Sequence, residues 1–405
     1  MKKAVDNAMG VMRDLFPPTP LQHNLYLSDR YGARIFLKRE DLSPVRSCKI
    51  RGAFNFFRKA LAQDTTAERF VCASAGNHAQ GFAFVCRHFE RLGVVYMPVT
   101  TPPQKIDKTL AFGGDFINVH LHGDIFDECY AAAHAYADDT GGLMVPPFDQ
   151  PDIIEGQATV AAEIIVQLPA DVEPDRFIIP VGGGGLAAGM TGYLAVRFDR
   201  QQFVFCEPSG APSLKKSLES GHRIRLEQVD NFVDGAAVAE VGRQNYDALQ
   251  DFSADQVMLI EENAVCVTIS ELLNSEGFVL EPAGALAITA LETLAGQIAG
   301  KILVVIVSGG NFDFERLPDV RERAMRHAGI KKYFILRNFL NMLGPEGDIA
   351  RFEYLKKSAR NFGSILIGIE TKRPENFVAL TGAFDAAGLR YEDITDNEVL
   401  ASLII

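Results

Sequence analysis

The chain has no basic run, no apolar stretch of membrane-spanning length, no C-x-x-C pair and no glycine- or serine-rich low-complexity segment. Each absence excludes a class of protein. A formal net charge of −12 and a pI near 5.2 argue against nucleic acid as a partner, because phosphate backbones are bound by a basic face. The strongest apolar runs, such as Ile302 to Val307, are strand-sized, whereas a membrane helix needs roughly 20 apolar residues. The start, Met1-Lys2-Lys3-Ala4-Val5-Asp6-Asn7, offers no apolar core for a signal peptide. Six scattered cysteines (Cys48, Cys72, Cys86, Cys129, Cys206, Cys266) read as buried thiols of a reducing compartment, so a cytoplasmic protein is expected. No H-E-x-x-H, G-x-S-x-G or G-x-x-x-x-G-K-[ST] occurs, and His78, His88, His120, His122, His134, His222 and His327 form no ligand cluster. No metal is expected.

What is present is an alternation of short apolar runs with amphipathic stretches. Strands are predicted at Ile35–Leu37, Phe70–Cys72, Val94–Met97, Phe116–Val119, Phe177–Val181, Phe203–Cys206 and Ile302–Val307. Helices are predicted at Ile50–Leu61, Asn77–Arg91, Phe126–Asp138, Gln157–Leu168, Leu186–Val196 and Ala283–Ala295. Fully apolar strands alternating with helices indicate parallel sheets covered on both faces. Sites in such folds gather at the carboxyl ends of the strands. Pro318–Lys332 is charged and reads as a linker or a surface helix. Beyond it the order is strand (Tyr333–Arg337), short helix, strand (Arg351–Leu355), strand (Ser364–Ile369), helix (Glu375–Ala387), strand (Arg390–Ile394), close to a small βαββαβ sandwich.

Four short motifs carry the chemistry. Gly182-Gly183-Gly184-Gly185-Leu186 lies between a strand and a helix, where backbone N–H groups and a helix N-terminus make a phosphate cradle without basic side chains. The bland reading is a structural glycine turn. Gly183 to Ala188 also fits the dinucleotide pattern G-x-G-x-x-A, with Glu207 placed as a ribose-binding acid would be, so a nicotinamide enzyme competes. Lys49 opens a helix after a polar loop. Most lysines there are merely solvated, but a desolvated one can form a Schiff base. Ser74-Ala75-Gly76-Asn77-His78 offers backbone N–H groups to a carboxylate and an amide to a ring hydroxyl; alternatively Ser74 or Asn77 is only a helix cap. Ser308, in Ser308-Gly309-Gly310-Asn311, either bonds local backbone or serves a pyridine nitrogen as a neutral partner. In this order the four motifs supply what pyridoxal phosphate (PLP) needs.

These residues resemble the tryptophan-synthase-β group of PLP enzymes (fold type II), and within it the biosynthetic threonine dehydratases, or threonine ammonia-lyases. The matching stretches are Thr19-Pro20-Leu21, Lys38 to Leu42, Ser47 to Gly52, Ser74 to Gly81, Met97 to Lys105, Gly156-Gln157, the glycine loop, Glu207-Pro208, Phe232 to Gly235, Glu281 to Ala285 and Ser308 to Asn311. Phe352 to Lys357 and Gly368-Ile369-Glu370 resemble the single ACT-like regulatory domain of the short biosynthetic enzymes. The resemblance implies two parallel-sheet α/β subdomains in a catalytic domain over residues 1–325, then an α+β ACT-like domain over 326–405. It implies that Lys49 holds PLP and acts as the base. Asn77 contacts the ring hydroxyl, Gly182, Gly183, Gly184, Gly185 and Leu186 the phosphate, and Ser308 the ring nitrogen. Ser74, Ala75, Gly76, Asn77 and His78 hold the substrate carboxylate. The implied reaction converts L-threonine to 2-oxobutanoate and ammonia, with L-serine a secondary substrate, isoleucine the inhibitor, valine an opposing activator and a homotetramer the assembly.

Three positions depart from the family pattern. Cys48 stands where many relatives carry an aromatic, Ala158 where glycine is usual. Arg337 runs directly into Asn338-Phe339-Leu340, about ten residues short of the usual ACT-domain loop and helix. Besides the nicotinamide enzyme, serine racemase activity and a non-catalytic amino-acid sensor are the competing readings.

Overall fold

A computed structural model of the chain describes residues 2–63, 67–337, 347–355 and 364–397. Two compact units emerge, one of residues 1–262 with 275–312 and one of 263–274 with 313–405.

The first unit holds two sheets. Its strands are β1 (Leu21–His23), β2 (Arg34–Arg39), β3 (Arg69–Ala73), β4 (Leu92–Met97), β5 (Ile117–Leu121), β6 (Leu143–Met144), β7 (Arg176–Pro180), β8 (Phe203–Pro208), β9 (Val257–Ile260) and β10 (Ile302–Val307). The larger sheet has the order β1-β2-β10-β7-β8-β9, parallel except for the antiparallel β1; the smaller, β5-β4-β3-β6, is parallel throughout. Every predicted strand is found. Phe116 falls instead in a short 3-10 turn ahead of β5. Phe177, Ile179, Phe203 and Phe205 centre the core of the larger lobe, and Phe54, Phe57, Phe70 and Phe82 that of the smaller. Among the described residues no helix is long and apolar enough to cross a membrane.

Helix ends follow local chemistry. The predicted Gln157–Leu168 helix begins earlier, at Pro151, because proline suits the first turn and the Gln150 side chain accepts from the Asp152 and Ile153 N–H groups. This Pro151–Gln167 helix touches the Lys49–Ala62 helix backbone to backbone: a Cβ on Gly156 would sit 2.4 Å from Arg51 O. Ala158 is buried against Gly189, whose own Cβ would come within 2.8 Å of Ala158 N. Only a small residue at 158 suits that approach.

Between these helices lies a fully buried ionic cluster. Arg51 grips Glu40 at 2.6 and 2.8 Å and Glu163 at 2.8 and 3.0 Å, while Lys38 Nζ donates to Glu163 at 2.6 Å. The Thr159 hydroxyl accepts from Arg51 Nη1 and the Thr19 hydroxyl shares the Nη2 hydrogens with the two carboxylates. Burial at this depth is tolerated only because each charge is paired and hydrogen-bonded.

In the second unit, β11 (Lys331–Arg337), β12 (Gly347–Leu355), β13 (Ser364–Thr371) and β14 (Arg390–Asp393) form an antiparallel sheet in the order β12-β13-β11-β14. Helix Glu375–Ala386 packs Phe377 and Phe384 on Phe334 and Ile367. The charged stretch after Pro318 is largely a helix, Leu317–His327, stabilised by a Lys331–Glu322 pair at 2.6 Å. The short helix predicted after Arg337, and the shortened segment there, lie outside the described residues.

Candidate active site

The Lys49–Ala62 helix starts where two distant segments pair. Ser47 and Gly309 form an antiparallel bridge, Cys48 N–H donates to Ser308 O at 2.9 Å, and Gly310 N–H donates to Arg46 O at 2.8 Å. This short ladder sets Lys49 beside the end of β10. Lys49 and Ser308, far apart in sequence, thereby line one cleft.

The cleft wall takes in Lys49, Asn77, Gly182, Gly183, Gly184, Leu186 and Ser308 of the predicted residues, together with Cys48, Gly235, Ala236 and Glu281. Ser74, Ala75, Gly76, His78 and Gly185 are not part of that wall. Ser74–Gly76 forms the turn into the Asn77–His88 helix, with Gly76 N–H donating to Ser74 Oγ at 3.2 Å. His78 is buried, its Nε2 2.9 Å from Val145 O; burial pulls its pKa down to about 4, so the ring is neutral.

The glycine loop follows β7 and leads into the Gly185–Leu194 helix. Gly184 has φ +90°, and a Cβ there would lie 2.9 Å from Asn245 Cβ. Asn245 is fully buried and its Nδ2 donates to Gly183 O at 2.7 Å and Phe148 O at 3.2 Å, stapling the loop. Beside the loop stands the Phe148 ring, 2.3 Å from where a Gly183 Cβ would be. A side chain at Gly183 or Gly184 would collide with these packed neighbours and displace the loop. Gly184→Ala is therefore expected to weaken binding of PLP at least about tenfold, roughly 1.4 kcal/mol, through left-handed backbone strain; titrating the apoprotein with PLP checks this.

Lys49 Nζ sits at the cleft floor, donating one long hydrogen bond to Pro147 O at 3.4 Å and lying 5.8 Å from the Phe148 ring centre. Burial lowers its pKa, offset only in part by Cys48 and Glu281. A buried amine with so little to hold its charge is suited to attack an aldehyde or to take a proton. Its neighbour Cys48 is pushed up to about 12 by burial and stays a thiol. Ser308 Oγ donates to Ala283 O at 3.1 Å, so its hydroxyl stands at the cleft without a charge partner. A buried amine and a side-chain-free cradle on one cleft fit PLP.

Two residues that sequence reasoning left without a role are central here. Glu281 is buried, accepts from Asn77 Nδ2 at 2.6 Å, and is pushed up to about 8 by burial and the Asp234 charge. Asn311 Nδ2 donates to Asn77 Oδ1 at 2.7 Å. Glu281 precedes the proline that opens the Pro282–Ile298 helix, where an acid reads as a cap, yet its side chain caps nothing.

The nicotinamide alternative fails on Glu207. That carboxylate is buried and accepts from Leu214 N at 2.7 Å and Lys215 N at 2.9 Å, closing the start of the Ser213–Ser220 helix rather than facing a ribose.

Fold and cleft define the class, and the family described as pyridoxal-phosphate dependent enzyme matches residues 12–309. Residues 331–404 match the C-terminal regulatory domain of threonine dehydratase. The chain is 41% identical to "L-threonine dehydratase biosynthetic IlvA" of Halalkalibacterium halodurans over 98% of this chain and 97% of that one. The protein of the same name from Bacillus subtilis is also 41% identical, over 97% and 95%. Among solved structures, processed threonine deaminase isoform 2 of Solanum lycopersicum superposes with a TM-score of 0.73 at 36% identity, covering 79% of this chain and 92% of that one. The chain belongs to the threonine dehydratase family, with PLP as its cofactor.

Proposed function

We propose that the protein removes ammonia from L-threonine, giving 2-oxobutanoate on the route to isoleucine, with L-serine a poorer substrate. The observation that carries this reading is the convergence of Lys49, Asn77, the glycine loop and Ser308 on one cleft. When bound, the cofactor supplies a sink for the electron pair left at the substrate Cα.

The chain's residues do the rest. Lys49 Nζ would hold the cofactor and is the base placed to take the Cα proton; its lowered pKa keeps the amine available. Gly182 to Leu186 would hold the phosphate through backbone N–H groups and the following helix N-terminus. Asn77 would contact the ring oxygen. The Ser74–His78 turn holds the substrate carboxylate through backbone N–H groups, with the neutral His78 ring acting as packing rather than as charge. Ser308 would face the ring nitrogen. A hydroxyl cannot protonate a pyridine as a carboxylic acid would, so the electron pair is left poised for β-elimination. Ser308→Asp is expected to lower dehydratase turnover at least about tenfold, roughly 1.4 kcal/mol on the barrier. Unchanged turnover refutes that role.

Residues 1–325 form the catalytic domain in this proposal and 326–405 the ACT-like regulatory domain, which binds isoleucine as inhibitor, with valine opposing it, in a cytoplasmic homotetramer. The test is 2-oxo acid release from L-threonine by the purified holoenzyme, with and without isoleucine. Release that isoleucine suppresses supports both halves. Release that ignores isoleucine removes the regulatory half; no release removes the catalytic one. Parallel assays on L-serine and for D-serine formation separate the racemase reading.

A further inference from the structure

The hydrogen bonds around Asn77 have a direction that can be traced to a backbone carbonyl. Val45 O can only accept. Asn311 Nδ2 lies 2.8 Å from it, so this end of the Asn311 amide is the donor. The same Nδ2 lies 2.7 Å from Asn77 Oδ1, which must accept its second hydrogen. Asn77 is thereby oriented, and its Nδ2 faces Glu281 Oε1 at 2.6 Å. One Asn77 N–H goes to Glu281 and one is left, on a side chain that lines the cleft. Glu281 has little freedom to turn away. It is buried, and a Cβ on Gly309 would stand 1.9 Å from its Oε1, so the glycine makes the room it occupies.

We propose that Asn311 and Glu281 are positioning residues that lock the Asn77 amide with an N–H toward the cleft, so that the ring oxygen bound there is an acceptor without its proton. The inference rests on the reading that Asn77 is the ring-oxygen partner. A hydrogen-bond donor at that oxygen favours its deprotonated form, and this form absorbs at longer wavelength than the protonated one.

Asn311→Asp replaces the donor with a carboxylate, which turns the Asn77 amide and presents its carbonyl to the cleft. The expected result is a holoenzyme whose cofactor band moves to shorter wavelength, with kcat down at least about tenfold and KM changed less than about threefold. Glu281→Ala is expected to move the band the same way, and Glu281→Gln, which keeps an acceptor, to restore it. A wild-type band in folded Asn311→Asp overturns the proposal. If that variant fails to fold by circular dichroism, Asn311→Ala is read in the same way, and a wild-type band again overturns it. Asn77→Asp separates the two levels. If it moves the band while the Asn311 variants do not, Asn77 is the ring partner but is not positioned by Asn311. If neither moves it, the assignment of Asn77 falls as well.

Discussion

Lys49→Ala is expected to abolish 2-oxo acid release from L-threonine, by at least about 10³-fold, since proton transfer by a positioned base alone contributes roughly 10²–10⁴. On the proposed function the effect is large because one amine would serve two steps, holding the cofactor and moving the Cα proton. Lys49→Arg is expected to be nearly as inactive. Guanidinium stays charged at all working pH values and cannot act as a base, although it keeps the positive charge beside Glu281. That comparison separates proton transfer from mere charge. Both variants are expected to stay folded, because among the described residues Lys49 Nζ makes one long hydrogen bond, to Pro147 O. Circular dichroism and turnover on the same samples check this, and wild-type turnover in either variant would remove Lys49 from the chemistry.

Glu163→Ala is expected to lower the free energy of unfolding by about 3–5 kcal/mol, because breaking a buried ion cluster leaves uncompensated charge. Arg51 and Lys38, both fully buried, would lose their shared acceptor. The pH dependence gives a sharper form of the test. Burial alone would raise the Glu163 carboxyl, but the Arg51 and Lys38 charges and hydrogen bonds outweigh it and hold the group at about 2. A carboxyl with a lowered folded pKa stabilises above its ordinary value of 4.5, and that contribution is lost as pH falls through about 2. The difference between wild type and Glu163→Gln in urea unfolding should therefore be full at pH 5 and above and shrink steadily below about pH 4. A difference that is flat with pH would assign the loss to packing.

The sequence made most of the first unit legible because its signals are local. Apolar runs dictated β2, β3, β4, β7, β8 and β10, and the glycine loop fell where backbone geometry demands it. Less was legible of β1, β6 and β9, of two to four residues each, which gain their regularity from neighbouring strands rather than from their own pattern. The same division runs through the site. Lys49 and Gly184 announce themselves by position and residue type. Glu281 and Asn311 act on Asn77 across 204 and 234 residues of chain, and nothing in their immediate neighbours points to that meeting. Phe148 and Asn245 are similar cases, visible only once the glycine loop is packed between them.

The pairing of residues 46–48 with 308–310 bears on how the protein is made. Val45 and Asn311 are separated by 266 residues, so one wall of the cleft leaves the ribosome well before the other. At roughly 5–20 residues per second, the delay is on the order of 10–50 s. During that interval β2 has no β10 beside it, and its apolar edge is open in the nascent chain. The smaller lobe, whose strands all lie between Arg69 and Met144, can form first. The cleft cannot close until residues 308–311 have emerged, later than the smaller lobe.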